Sequence, residues 1–260
     1  MDVELKQIET GTGAAARSIA VRTQAGDPPG MFWLGGFKSD MRGTKAEALA
    51  RYAARTGRAY VRFDYSGHGE SGGRFEDGTI SRWLEEALAV FAAFAKGPQI
   101  VIGSSMGGWI ALLLARALAR KPVHTANLAG LVLIAPAPDF TEELMWAAFP
   151  PEVKRQIEEK GSWQRPSAYG EEPYPITRAL IEDGRKHLLF GKPIEVGCPV
   201  RILQGAQDPD VPYMHAMKLV SCLAQDDVVL TLVKDGDHRL SRPEDIERLI
   251  RTIDELVHQA

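Results

Sequence analysis

Polar and apolar residues alternate over residues 2–10 and again over 16–24, with Gly11-Thr12-Gly13 between them. That period predicts two half-buried strands joined by a turn. Further along, apolar residues dominate short runs at 31–34, 59–63, 99–103, 131–134, 200–203 and 228–233. Runs of this length and kind predict strands buried on both faces. Between them the apolar positions change to helical spacing, over 44–55, 79–96, 109–120, 213–223 and 243–257. Strand alternates with helix, so the pattern predicts an α/β fold with a mostly parallel sheet and helices on both faces. From 139 to about 193 this rhythm breaks into a stretch rich in Glu, Pro and aromatics, among them Phe140, Trp146, Phe149, Trp163, Tyr169 and Tyr174. It reads as two or three helices with proline-bounded loops and no clear strand, a helical cap inserted into a single domain spanning 1–260.

The run 99–103 ends in Gly103-Ser104-Ser105-Met106-Gly107, a Gly-x-Ser-x-Gly pattern with an Ala/Leu-rich helix behind it. In that context the serine occupies the apex of a sharp strand-to-helix turn, and the flanking glycines let the chain reverse without collision. Ser105 is thereby lifted off the sheet edge, next to the Met106 N–H at a helix N-terminus. A serine hydroxyl is a weak nucleophile at neutral pH and needs a base, itself oriented by an acid. Of six histidines, His238 follows the run 228–233 and so belongs to the same edge of a parallel sheet as Ser105. Asp208 follows the run 200–203 and reaches that edge too; Asp210 in the same loop is its rival, and Asp235 and Asp237 flank the histidine. Asp237 adjoins His238 in the chain and is poorly placed to meet its ring. The order Ser105, Asp208, His238 is the one expected of α/β-hydrolases. Gly35-Gly36-Phe37 follows the run 31–34, and the Phe37 N–H is the expected second oxyanion donor beside Met106. Trp109, Trp146 and Phe149 are candidates for lining an acyl groove, although an aromatic-rich cap also packs on itself. His68, in a glycine-rich loop, reads as structural.

Composition narrows the partners. The 260 residues carry a net charge of −3, against a nucleic-acid-binding face, and no apolar run approaches the ~20 residues of a membrane span. Cys198 and Cys222 are too few for a disulfide framework and lack metal-ligand spacing. Neither cofactor nor metal is called for; the expected partner is a small-molecule ester or acyl-thioester, or an acylated protein. The first residues lack the basic-then-apolar order of a signal peptide, and Asp2 and Glu4 are residues a transit peptide avoids. A cytosolic location is the expectation.

The chain resembles the α/β-hydrolase superfamily from residue 31 to the last helix. The segments 62–67, 97–100, 103–109 and 237–239, with 160–163 and 167–169 in the cap, are similar to a mitochondrial branch that removes palmitoyl groups from protein cysteines and hydrolyses acyl glucuronides. The resemblance implies Ser105 as nucleophile, Asp208 as acid and His238 as base, and adds a preference for thioesters. A start almost at the first strand looks like a bacterial relative. Two other functions fit the same pattern: carbon–carbon bond hydrolysis with the same triad, and a non-catalytic binding protein on a hydrolase scaffold. Dehalogenases and epoxide hydrolases of this fold carry an Asp where Ser105 stands.

Overall fold

The computed structural model describes residues 3–166, 172–223 and 227–259. The chain opens with β1 (Val3–Thr10), β2 (Arg17–Gln24), β3 (Asp27–Leu34), α1 (Thr44–Thr56), β4 (Arg58–Phe63), α2 (Ile80–Phe94), β5 (Gly97–Ser104), α3 (Met106–Arg120) and β6 (Ala126–Ile134). It continues through α4 (Pro151–Lys160), β7 (Ser162–Arg165), β8 (Tyr174–Thr177) and α5 (Arg178–Gly184). It ends with β9 (Val200–Gly205), α6 (Tyr213–Cys222), β10 (Val228–Val233) and α7 (Pro243–Gln259). Eight strands form one sheet in the order β1-β2-β4-β3-β5-β6-β9-β10. The pairs β1–β2 and β2–β4 are antiparallel, and every pairing from β4 to β10 is parallel.

The pleat divides the apolar runs between two cores. Phe32, Leu34, Val101, Leu131 and Leu133 join Trp83, Phe91 and Ile110 of α2 and α3. Met31, Trp33, Ile100, Ile102, Val132 and Ile134 join Leu49 of α1 and Leu249, Ile253 and Leu256 of α7. The neighbouring strands β3 and β5 therefore send their following helices to opposite faces. That makes a topological switch point at their carboxyl ends, where an open α/β sheet leaves a crevice.

Several elements run longer than the apolar runs announce. β3 begins at Asp27 and β6 at Ala126, because pairings such as Asp27↔Arg58 and Gly97↔Ala126 extend the ladder into polar residues.

Between β6 and β9 the chain carries a π-type turn over Thr141–Trp146, then α4, β7, β8 and α5. The expectation of no clear strand here is corrected: β7 and β8 form an antiparallel ribbon that pairs Trp163 with Ile176 and Gln164 with Pro175. Four residues are too few to declare a period, and a proline speaks against a strand unless, as in a two-stranded ribbon, its nitrogen faces away from the partner. The neck of the insertion is closed by the Asp139 carboxylate, which accepts from the N–H groups of Leu189 (2.8 Å) and Phe190 (2.8 Å). Asp183 of α5 accepts from Ser81 of α2 through both backbone N–H (2.7 Å) and hydroxyl (2.8 Å), fastening the insertion to the sheet's helical layer. Residues 167–169 lie outside the described residues.

Candidate active site

Ser105 has φ +55° and ψ −116°, a conformation that non-glycine residues rarely adopt and that is sustained here by its surroundings. Its N–H donates to Ile134 O at 2.8 Å, and its carbonyl accepts from Gly108 (2.9 Å) and Ala137 (3.1 Å). The elbow is too tight for side chains on its glycines. A Cβ on Gly107 would lie 2.0 Å from Leu34 O, and one on Gly103 would lie 2.3 Å from Gly107 O. α3 starts directly after Ser105, so the Met106 N–H is among the unpaired donors of a helix start.

The loops that carry Asp208 and His238 are stitched together by their backbones. Ala206 N–H donates to Val233 O (2.8 Å) and Gln207 N–H to Gly236 O (2.9 Å). At the end of β9 the Asp208 carboxylate is nearly inaccessible and has its acceptor capacity filled. Oδ1 accepts from the N–H groups of Asp210 and Val211, both at 2.8 Å. Oδ2 accepts from Gln204 Nε2 at 3.2 Å and from His238 Nδ1 at 2.8 Å. A carboxylate that accepts from Nδ1 places the ring proton there and leaves Nε2 as the basic nitrogen. Asp237 turns to its own loop, where Oδ1 accepts from Leu240 N–H (2.9 Å), and Asp235 pairs with Arg242 (2.7 Å). Asp210 stays near, since one of its carboxylate oxygens lies within 4.8 Å of ligand atoms of both Asp208 and His238. Among the described residues, Ser105 and His238 make no direct hydrogen bond, as is common before substrate tightens such contacts.

The loop after β3 lies against the elbow: a Cβ on Gly36 would be 3.5 Å from Ser105 Cβ. Residues 36–39 form a turn closed by Ser39 N–H to Gly36 O at 3.1 Å, and the Phe37 N–H donates to no described residue. The Phe37 ring meets Phe75 (5.0 Å), Trp83 (5.9 Å), Phe140 (5.7 Å) and Tyr174 of the inserted ribbon (5.9 Å). Of the three aromatic candidates, Trp109 is fully buried, edge-on to Phe140 at 5.6 Å, and donates Nε1–H to His187 O at 3.3 Å. Trp146 has Lys154 and Arg185 over its ring at 5.6 and 5.1 Å. Phe149 stacks edge-on to Trp163 at 5.3 Å.

Three residues near this site carry no signal in an apolar pattern. Gln204 is fully buried and its amide also donates to Val211 O (3.0 Å); a polar residue ending an apolar strand was the available clue, because a buried amide must find partners. Lys45 of α1 donates to the carbonyl of Arg239, next to His238. His68 accepts from Lys38 N–H at 3.2 Å.

Residues 26–249 match the model of the alpha/beta hydrolase family. Mitochondrial palmitoyl-protein thioesterase ABHD10 of Bos taurus is 38% identical over 92% of this chain and 76% of its own length. The Homo sapiens protein of the same name is 37% identical over the same shares. Among solved structures, one from Agrobacterium vitis S4 superposes with TM-score 0.96 at 51% identity, covering 99% of this chain and all of the other. Alpha/beta hydrolase domain-containing protein 10 from mouse gives 0.85 at 35% identity, covering 98% and 99%. The expectation of a cytosolic location is corrected here, because these curated relatives are named as mitochondrial. A targeting segment is removed in a mature protein, so the makeup of a chain's first residues is a poor guide to its compartment. Among the described residues, no helix is long and apolar enough to cross a membrane.

Proposed function

Because the chain belongs to the alpha/beta hydrolase family, we propose that it is a serine hydrolase cleaving carboxylic esters or acyl thioesters through an acyl-enzyme. The observation that carries this reading is the Asp208–His238 contact at 2.8 Å, on the sheet edge where Ser105 crowns a strained elbow. His238 Nε2 takes the proton of Ser105 Oγ as the oxygen attacks the acyl carbon. The N–H groups of Phe37 and Met106 hold the resulting oxyanion, and His238 returns the proton to the leaving alcohol or thiol. Water, activated by the same nitrogen, then releases the acid. The insertion closes one domain over this edge as a cap.

The name palmitoyl-protein thioesterase, carried by relatives 37 and 38% identical to this chain, favours thioesters with a long apolar acyl group, on a small molecule or on an acylated protein. The test is labelling with a fluorophosphonate, followed by a screen of p-nitrophenyl esters and acyl thioesters of graded chain length. The expected result is covalent labelling that Ser105→Ala abolishes, with turnover of at least one substrate series. A folded protein that neither labels nor turns over any of them overturns the proposal.

A further inference from the structure

Lys38 is the third residue of the turn that follows β3, and its φ of +57° has the sign a type II turn demands at that position. Glycine is the usual occupant there, so a lysine needs outside support to hold this conformation. Two contacts supply it. The ammonium lies over the rings of Phe75 (5.4 Å) and Tyr174 (5.1 Å). The Lys38 N–H, which belongs to the peptide unit immediately after Phe37, is accepted by His68 Nε2 at 3.2 Å.

The ring of His68 has one orientation and one tautomer open to it. Nδ1 lies 3.1 Å from the Ser66 carbonyl oxygen, which only accepts, so Nδ1 carries the proton and Nε2 offers its lone pair. The residue is 5% exposed and is boxed by Phe75 (5.2 Å), Trp83 (5.5 Å) and Tyr65 (6.0 Å). Ser66 is pinned in turn: its N–H and hydroxyl both donate to buried Glu86, at 2.9 and 2.6 Å. A rigid chain therefore runs from α2 through Ser66 and His68 to the peptide beside Phe37.

We propose that His68 is the positioning residue of the oxyanion hole. By accepting the Lys38 N–H as a neutral ring, it anchors the Phe37–Lys38 peptide, while the Ser39 N–H bond to Gly36 O at 3.1 Å anchors the Gly36–Phe37 peptide that carries the Phe37 N–H; held at both units, the turn keeps that donor in one direction. The inference rests on Ser105 as the nucleophile. Its signature is a loss confined to the transition state, in which kcat and kcat/KM fall together while KM holds.

The test compares wild type, His68→Phe, His68→Gln and Ser105→Ala. Phenylalanine keeps an aromatic ring in the box and removes both polar atoms, whereas glutamine restores an acceptor at the reach of Nε2. Kinetics on a p-nitrophenyl ester are normalised to active serine counted with the fluorophosphonate, and a trifluoromethyl ketone serves as oxyanion analogue. His68→Phe should lose about 10- to 100-fold in kcat with KM within about twofold. The Ki of the ketone should rise in the same proportion, and His68→Gln should recover most of both. The inference is overturned if normalised kcat of His68→Phe stays within threefold of wild type, or if glutamine is no better than phenylalanine. Should His68→Phe fail to fold, ¹⁵N-histidine spectra of wild type decide instead: an Nε2–H tautomer at pH 7 overturns it, and the Nδ1–H tautomer supports it. A wild type without Ser105-dependent turnover overturns both this inference and the reading beneath it; Ser105-dependent turnover that His68→Phe leaves intact overturns this inference alone.

Discussion

Replacing Asp208 by asparagine keeps the shape of the side chain and changes one atom, and the hydrogen bonds around it determine the outcome. Oδ1 accepts two backbone N–H groups, so the amide oxygen must stay on that side, or Asp210 and Val211 lose their acceptor. The new NH₂ then faces Gln204 Nε2 and His238 Nδ1, both of which donate to Asp208 Oδ2. His238 can relieve its half of this clash by moving its proton to Nε2, which leaves it unable to take the proton of Ser105. The loss in kcat should be about 10⁴-fold, the cost of holding the wrong tautomer in a serine triad. The Gln204 amide is left facing another donor, worth ~1–3 kcal/mol; in a chain of this size that lowers Tm by several degrees. The assay is kcat on a p-nitrophenyl ester with Tm from thermal unfolding, beside Asp210→Asn, which should keep kcat within about threefold because the Asp210 group that donates to Asp208 is its backbone N–H, which the substitution leaves in place. If Asp208→Asn stays folded and within tenfold of wild type while Asp210→Asn collapses, the orienting acid is Asp210 and the chain of hydrogen bonds argued here is wrong.

Ser105→Gly should abolish fluorophosphonate labelling yet raise Tm, since glycine accepts φ +55° without the ~1 kcal/mol a side chain pays there; a lowered Tm would mean the elbow is unstrained. Burial, reinforced by the Lys38 charge, pushes His68 down to about 4, outweighing the Ser66 carbonyl and Asp40. Its folded value is thus below its unfolded one, and the unfolded chain binds the extra proton between them. This contribution is complete above pH 6.5 and is lost as pH falls toward 4. Wild type should then lose up to about 3 kcal/mol more than His68→Gln over that window in urea unfolding, and equal losses would show the ring to be solvated. Trp146 and Phe149 spend their faces on Lys154, Arg185 and Trp163, so alanine at either should lower Tm and reduce kcat/KM for acetyl and decanoyl esters in parallel. Selective loss of the decanoyl ester would place those rings in the acyl groove instead.

The sequence conveyed most where physics forces a local pattern. Gly103 and Gly107 announced the elbow because nothing larger fits between β5, α3 and the end of β3. The runs at 200–203 and 228–233 placed Asp208 and His238 because parallel strands deliver their following loops to one edge. What stayed hidden depends on approach between segments far apart in the chain. Nothing in the local pattern around Lys38 announces that its N–H will meet a ring thirty residues on, and nothing around Lys45 points to the Arg239 carbonyl. The inserted ribbon stayed hidden for the opposite reason: its strands are four residues each, too short for alternation to stand out.

These two kinds of contact divide the site. Ser105, Asp208 and His238 follow the ends of β5, β9 and β10, whose spacing is set by the ladder, and the glycines that admit the close approaches leave that spacing little room to vary. The Phe37 loop is different, since its ring meets both Phe75 and Trp83 and Tyr174 of the segment between β6 and β9. Its N–H is thereby coupled both to the sheet, through His68, and to the cap. On the proposed function, a change in the packing of the segment between β6 and β9 would reach the oxyanion along a path that bypasses Ser105, Asp208 and His238. Variation among relatives in the insertion should accordingly alter kcat as well as acyl preference, whereas variation in α1 or α7, on the opposite face of the sheet, should alter stability first.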